Sequence, residues 1–370
     1  MNKLIKTKVV HFIGGNLSHG GVEVAIISMF PEILDKIDYK VVCISKLDKE
    51  FAKDLSKNII NNNIICKNSG LKKKSLLKYF FEVLKHIRSD KPDIIILSLW
   101  KAVAFYFLIF PIYRPKSIIL FSHSIKYKHF IDRFFNFIGI IMSNEIFADS
   151  ESTMKMMKTR TNKLVKVISF LRSKPNITKK PLNEINTIKF VSISRISSEK
   201  GFSYVFKFLE RLIELDKHFI WDIYGAVSEK SEEEKIKSFI KRNNLENKVS
   251  IKGAILPSEV YSVMPNYDFF LQFSLLEGMA MSVAESMSYG LVCIVHPVGE
   301  IPYYSEDMKS AIFINDLSKR GIDDLLVKFL EVVKNHSIYN TISLNAINSF
   351  SKTELLTESF VNAINNSTDN

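Results

Sequence analysis

The pattern that most constrains this 370-residue chain is an alternation of short, β-branched apolar runs with longer amphipathic segments, carried through twice. In the first half, Lys8 to Ile13, Tyr39 to Ile44, Asp93 to Leu97, Ser117 to Phe121, Glu145 to Ala148 and Leu164 to Ile168 have the length and composition of strands. Leu76 to Arg88 and Phe130 to Met142 carry helical periodicity between them. Alternation of this kind predicts a parallel sheet wound with helices on both faces, because parallel strands need a crossover that buries its apolar stripe on the sheet. The pattern lapses across the polar, proline-punctuated stretch from Arg172 to Asn186 and then restarts. Strands are expected at Phe190 to Ile193, Phe219 to Tyr224, Lys248 to Lys252, Asp268 to Phe273, Leu291 to Val295 and Ala311 to Ile314, with Gly201 to Leu215 and Glu232 to Arg242 the clearest helices.

The expected organisation is therefore a first domain at residues 1–172, a linker at 173–186, a second domain at 187–350 and a C-terminal helical segment at 351–370. A hydrophobic content of 46% over this length is enough for two cores. Two such α/β domains would hold a ligand in a cleft between them, at the carboxyl ends of their strands.

Charge is divided unevenly. Up to Asn186 there are 32 Lys and Arg against 15 Asp and Glu, a balance of +17, whereas the remainder has 19 against 24, a balance of −5. Such asymmetry points to a polyanion facing the first half, with ordinary lysine-rich solvation as the plainer alternative. From Lys101 to Met142 aromatic and basic residues are interleaved: Phe105-Tyr106-Phe107, Arg114, Lys116, Lys126-Tyr127-Lys128-His129-Phe130 and Arg133-Phe134-Phe135. Core packing accounts for many of these rings, but an amphipathic basic and aromatic surface suits an anionic membrane, and no nucleic-acid partner is expected. The N-terminal segment runs into Val9-Val10-His11-Phe12-Ile13 with too short an apolar stretch for a signal peptide. The longest apolar stretch, Ala102 to Ile112, contains Pro111 and is about half the length that crosses a bilayer. The three cysteines, Cys43, Cys66 and Cys293, lie far apart along the chain with no C-x-x-C spacing, as expected of a cytoplasmic protein without structural zinc.

Several loops carry chemistry. Arg195 follows an expected strand and Lys200-Gly201 opens an expected helix, a placement in which a planar guanidinium and a mobile ammonium can meet a diphosphate. Glu277 and Glu285 lie eight residues apart after the Asp268 to Phe273 run, with the small-residue loop Gly278-Met279-Ala280 between strand and helix, so free backbone N–H groups stand beside carboxylates that can grip hydroxyls. Ser282 and Glu285 also fit a capping box, which would make Glu285 only a helix cap. In the first domain, Gly14-Gly15 and Gly20-Gly21 separate a strand from an apolar helix, allowing close backbone approach and a phosphate at the helix N-terminus. His123 sits at the carboxyl end of the Ser117 to Phe121 strand, and Asp149-Ser150-Glu151 ends another and reads as a helix cap. There is no D-x-D motif and no ligand spacing among histidines and carboxylates, so no metal is expected.

These motifs resemble the retaining glycosyltransferases of family 4, whose signature is a glutamate, seven intervening residues and a second glutamate, preceded by an arginine, four residues, a lysine and a glycine. The resemblance implies the GT-B fold, two Rossmann-like doubly wound parallel-sheet domains facing across a cleft, with the final helix crossing back onto the first. It implies a metal-independent hexosyltransferase that uses a UDP-, GDP- or ADP-type sugar and a glycan or lipid-linked acceptor in lipopolysaccharide, capsule or O-antigen synthesis, at the inner face of the cytoplasmic membrane. Carried over residue by residue, Arg195 and Lys200 would bind the donor diphosphate, Glu277 the donor sugar and Glu285 the ribose. Gly278, Met279 and Ala280 would offer N–H groups to the donor, Gly15, Gly20 and Gly21 would face its pyrophosphate, and His123 would lie near the transferred sugar. The chain departs from the pattern at Met279-Ala280, where an aromatic residue and a glycine are common, and at Glu300, where a second glycine is usual. Two other classes stay open: a sugar-nucleotide epimerase or phosphorylase on the same fold, and a non-catalytic polyanion-binding protein.

Overall fold

A computed structural model describes residues 6–17, 20–48, 53, 55–68, 75–123, 129–174 and 187–368. The chain forms two compact units, Met1–Arg172 with Glu354–Asn370, and Ser173–Thr353. Most of the expected linker, 175–186, lies outside the described residues, as do Lys126 and Lys128.

In the first unit the strands are β1 (Lys8–Ile13), β2 (Asp38–Lys46), β3 (Ile64–Asn68), β4 (Ile94–Ser98), β5 (Ser117–Ser122), β6 (Glu145–Ala148) and β7 (Val165–Val167). They pair in parallel in the order β3-β2-β1-β4-β5-β6-β7. The helices between them are α1 (Gly21–Lys36), α2 (Lys57–Asn63), α3 (Leu76–Asp90), α4 (Trp100–Ile109), α5 (Phe130–Met142) and α6 (Glu151–Lys158). Strand β4 is buried at every position, as a strand covered on both faces must be. The Ser75 and Ser150 hydroxyls cap α3 and α6, and Lys91 in the left-handed region stops α3.

Sequence periodicity missed β3. Its five residues follow a run of asparagines, and the strand lies at the sheet edge, where it needs little of the continuous apolar pattern that marks a central strand. This strand also revises the reading of the cysteines as distant. Cys43 on β2 and Cys66 on β3 are register partners, and both are buried.

The second unit holds β8 (Ile188–Ile193), β9 (Phe219–Tyr224), β10 (Val249–Gly253), β11 (Phe269–Gln272), β12 (Val292–Val295) and β13 (Ile312–Phe313), parallel throughout in the order β10-β9-β8-β11-β12-β13. Its helices are α7 (Phe202–Glu214), α8 (Lys230–Arg242), α9 (Val260–Val263), α10 (Met281–Ser288), α11 (Ile301–Tyr304), α12 (Lys319–Lys334) and α13 (His336–Ser349). Helix α7 shows why this half folds: Phe202, Val205, Phe206, Phe208, Leu209 and Leu212 fall on one face and are all buried against Phe190, Trp221 and Phe269 of the sheet.

The last helix, α14 (Leu356–Thr368), belongs to the first unit. Leu356 N–H donates to the Leu171 carbonyl, and Phe360 lies fully buried beside His11, Tyr39, Phe121 and Phe147. Lys166 ties the helix down through the Ala363 carbonyl and Ser367, while also pairing with Glu145 at 2.8 Å. No helix among the described residues is long and apolar enough to cross a membrane.

Candidate active site

In the second unit the sheet order reverses between β8 and β11: the chain leaves β8 toward β9 on one side, and β11 lies on the other. The region outside the carboxyl ends of strands at such a reversal is where open α/β sheets place their ligands. The β8 loop supplies Arg195 and, at the end of one 3-10 turn (Ser198–Lys200), Lys200. The β11 loop supplies Glu277 and runs into α10.

The two loops are locked to each other by backbone. Leu275 N–H donates to the Glu199 carbonyl at 2.8 Å. Gly201 has φ 69°, and a Cβ there would lie 2.0 Å from the Phe273 carbonyl oxygen, so only glycine fits between the two strand ends. Across this junction Lys200 Nζ meets Glu277 Oε1 at 2.6 Å, and Gln272 Nε2 donates to the same oxygen at 2.9 Å. The Ser282 hydroxyl donates to Gln272 Oε1 at 3.1 Å, completing a line Lys200–Glu277–Gln272–Ser282. Arg195 stands exposed, without an ion pair among the described residues.

Glu285, 2% exposed, accepts a hydrogen bond at 3.2 Å from the Tyr261 hydroxyl, and the Tyr261 ring stacks on Tyr289. The capping-box reading of Ser282 and Glu285 does not survive. Helix α10 begins at Met281 with Ala280 as its N-cap and no side-chain cap bond, so Ser282 lies inside the first turn and its hydroxyl turns to Gln272. Ala280 itself sits at φ 53°, the left-handed region in which glycine is unstrained. The sequence departure at this position therefore falls on a residue whose backbone asks for glycine.

Sequence reasoning missed three contributors. Gln272 was hidden in an apolar strand run. His296, just after β12, donates from Nδ1 to the Ser274 carbonyl at 2.8 Å, which leaves Nε2 of a neutral ring as an acceptor; the rule that singled out His123, a histidine at a strand's carboxyl end, would have found it. Gly299, φ 64°, leaves room for the Glu277 and Gly278 carbonyls, and Glu300 N–H donates to the latter at 2.9 Å. The loop 277–280 is thus fixed from beneath.

In the first unit, Gly14 N–H donates to the Ser98 carbonyl at 3.0 Å, and a Cβ on Gly14 would lie 2.9 Å from the Ala102 amide nitrogen. Gly15 and Gly20 both border the Glu23 carboxylate; a Cβ on Gly20 would fall 2.1 Å from its Oε2. Any anion at the N-terminus of α1, which Gly21 opens, must share it with this carboxylate. His123, with a side chain 3% exposed, bonds through Nε2 to Ser98 Oγ at 2.9 Å. Burial lowers its pKa to about 3. Ser150 caps α6 as read from sequence, while Asp149 accepts from Ser150 and Thr153 and brings Oδ2 to 3.9 Å from His123 Nδ1. No group of three or more potential metal ligands occurs among the described residues.

The two parallel sheets and their crossovers place the chain in the GT-B class of folds. HepE of Anabaena, in complex with UDP-glucose, matches with a TM-score of 0.75 at 16% identity, over 97% of this chain and 100% of that one. The lipopolysaccharide outer core galactosyltransferase WaaB in its apo form matches at 0.66 and 20% identity, over 97% and 99%. A glycosyltransferase from Rickettsia africae matches at 0.70 and 15%, over 98% of each chain. Identities this low speak to fold. More particularly, residues 173–345, which contain Arg195, Lys200, Glu277 and Glu285, match the family model for glycosyl transferases group 1. No curated protein matches the chain by sequence.

Proposed function

We propose that the protein is a retaining glycosyltransferase of family 4 that moves a hexosyl group from a nucleoside-diphosphate sugar to a glycan or lipid-linked acceptor in cell-surface polysaccharide synthesis. The observation that carries this reading is the Lys200–Glu277 pair at the carboxyl ends of β8 and β11, where the sheet order reverses, within the segment that matches glycosyl transferases group 1. As the bond between anomeric carbon and diphosphate oxygen breaks, negative charge grows on the leaving diphosphate. Lys200 exchanges its carboxylate partner for a phosphate oxygen, and the exposed Arg195 adds a bidentate fork, so this electrostatic work needs no metal ion. Glu277, steadied by Gln272, accepts from donor-sugar hydroxyls, and Glu285, steadied by Tyr261, from the ribose. Gly278, Met279 and Ala280 offer backbone N–H groups to the donor, while Gly15, Gly20, Gly21 and His123 are assigned to the donor and its sugar by the family resemblance alone. A UDP-sugar is the first donor to test, since HepE is solved with UDP-glucose.

For the acceptor we propose a lipid-linked glycan at the inner face of the cytoplasmic membrane. Helix α5 supports this: Phe130, Phe134, Phe137 and Ile141 are 80, 48, 58 and 59% exposed and recur at helical spacing along one stripe. Phe107 and Leu108 of the adjoining α4 are exposed too, and Lys101, Arg114, Lys116 and Arg133 present cations on the surface. Such a stripe lies in a bilayer interface while the cations meet anionic headgroups.

The test is a panel of UDP-, GDP- and ADP-sugars screened by thermal shift, followed by transfer to lipid-linked acceptors and NMR of the product's anomeric proton. Stabilisation by one nucleotide sugar and a product with the donor's anomeric configuration are expected. An inverted product, or donor turnover that only interconverts free nucleotide sugars, would overturn the reading.

A further inference from the structure

Beneath the glycine loop of the first unit runs a buried chain of polar groups. Tyr39 OH lies 2.7 Å from His11 Nδ1, His11 Nε2 lies 2.7 Å from Ser98 Oγ, and Ser98 Oγ lies 2.9 Å from His123 Nε2. These residues come from β2, β1, β4 and the end of β5, so the line crosses the sheet. Tyr39, His11 and Ser98 are 0% exposed. Phe121 and Phe360 lie near-parallel to the His11 ring at 6.2 and 6.3 Å, and Phe121 lies 4.2 Å from the His123 ring. In so apolar a sheath a hydrogen bond is strong and an unmade one is costly.

Proton counting then fixes the direction of the chain. Ser98 has one hydroxyl proton for two imidazole nitrogens, so it donates to at most one ring, and accepting from both would leave its own buried proton unused. If it donated to His11, His11 would carry its proton on Nδ1 and point it at Tyr39. The Tyr39 hydroxyl proton would then have no acceptor among the described residues, and the bare Nδ1 lone pair of His123 would face the Asp149 carboxylate at 3.9 Å. In the opposite sense the protons of Tyr39, His11 and Ser98 are all used: Tyr39 donates to His11 Nδ1, His11 Nε2–H to Ser98, and Ser98 to His123 Nε2. The proton of His123 is left on Nδ1, which is buried without a hydrogen-bond partner among the described residues but faces the Asp149 carboxylate at 3.9 Å, where an N–H is favoured over a bare lone pair.

We propose that Tyr39, His11 and Ser98 are positioning residues that hold the proton of His123 on Nδ1, toward the Asp149 carboxylate, and so keep this buried histidine neutral with its ring in one orientation at the end of β5. The inference rests on the glycosyl-transfer reading for its use, though not for its geometry. Burial depresses both rings' pKa values, His11 further through His123, which keeps the relay uncharged. A histidine held neutral in this way takes no proton from an acceptor hydroxyl.

The experiment is a two-bond 1H–15N correlation on histidine-labelled full-length protein without substrate, with His123→Gln and His11→Gln for assignment. Wild type should show His123 protonated on Nδ1 and His11 on Nε2. Tyr39→Phe, which removes the hydroxyl that sets the direction, should leave His123 a mixture of tautomers and reduce transfer about three- to tenfold, the worth of one hydrogen bond. His123 protonated on Nε2 in the wild type would overturn the relay whatever the activity. A tautomer that shifts in Tyr39→Phe while transfer is unchanged would overturn the positioning role and leave glycosyl transfer itself intact.

Discussion

The buried histidines of the first unit make a measurable demand on pH. His123 has a pKa lowered to about 3 by burial, against about 6.5 in an unfolded chain. Between these values the unfolded state binds a proton that the folded state refuses. The contribution is therefore full above about pH 6.5 and is lost as pH falls toward 3, at a limiting slope of about 1.4 kcal/mol per pH unit. At pH 5 the loss from His123 alone comes to about 2 kcal/mol, and His11, lowered by burial and by His123, adds to it in the same direction. Asp149, the carboxylate facing His123 Nδ1 at 3.9 Å, opposes the shift, but burial is the cause that dominates. The chain has two tryptophans, Trp100 in the first unit and Trp221 in the second, so a Trp221→Phe background reports on the first unit alone. Urea unfolding followed by Trp100 fluorescence at pH 8 and pH 5 should show the acid loss, and His123→Gln should shrink that loss by about 2 kcal/mol even though it is less stable at pH 8. An acid loss of the same size in His123→Gln would refute the argument, because it would place the titration elsewhere.

Replacing Lys200 or Arg195 by alanine should lower the transfer rate by about 100-fold or more; circular dichroism should show both variants folded, and near-normal turnover in both would count against the diphosphate assignment. Glu285→Gln should raise the donor KM about tenfold or more, the worth of a hydrogen bond to a charged group, and an unchanged KM would remove Glu285 from the ribose site. Ala280→Gly should stabilise the second unit by roughly 1 kcal/mol, since it relieves a left-handed alanine at the start of α10; a lower melting temperature would show that the methyl, 7% exposed with its residue, packs for more than the strain costs. Serine in place of Phe130, Phe134 and Phe137 should abolish binding to anionic vesicles, and serine at Lys126, Lys128 and Arg133 should weaken it in a salt-dependent way. Equal binding of wild type to neutral and anionic vesicles would show that the cations serve another purpose.

What the sequence could disclose was set by how local each signal is. Strands such as β1, β6 and β9 were legible to the residue because apolar runs between turn signals report burial directly, and the Glu277 and Glu285 spacing was legible because one loop and one helix carry both. Strand β3 was not, since an edge strand needs only a few apolar residues and Ile64, Ile65 and Cys66 are too few to stand out. The same limit hid the pairing of Cys43 with Cys66, which follows from that strand alone. The polar line from Tyr39 through His11 and Ser98 to His123 was the least legible of all: its members lie 28, 87 and 25 residues apart, and each by itself looks like a core residue of an apolar strand. Only the parallel register, which brings β2, β1, β4 and β5 side by side with each member two residues further along than the one before it, turns four unrelated polar residues into one directed chain. A hydroxyl at one end can then decide where a proton sits at the other, and the residue that would be chosen for mutation from sequence, His123, owes its chemical state to three that would not.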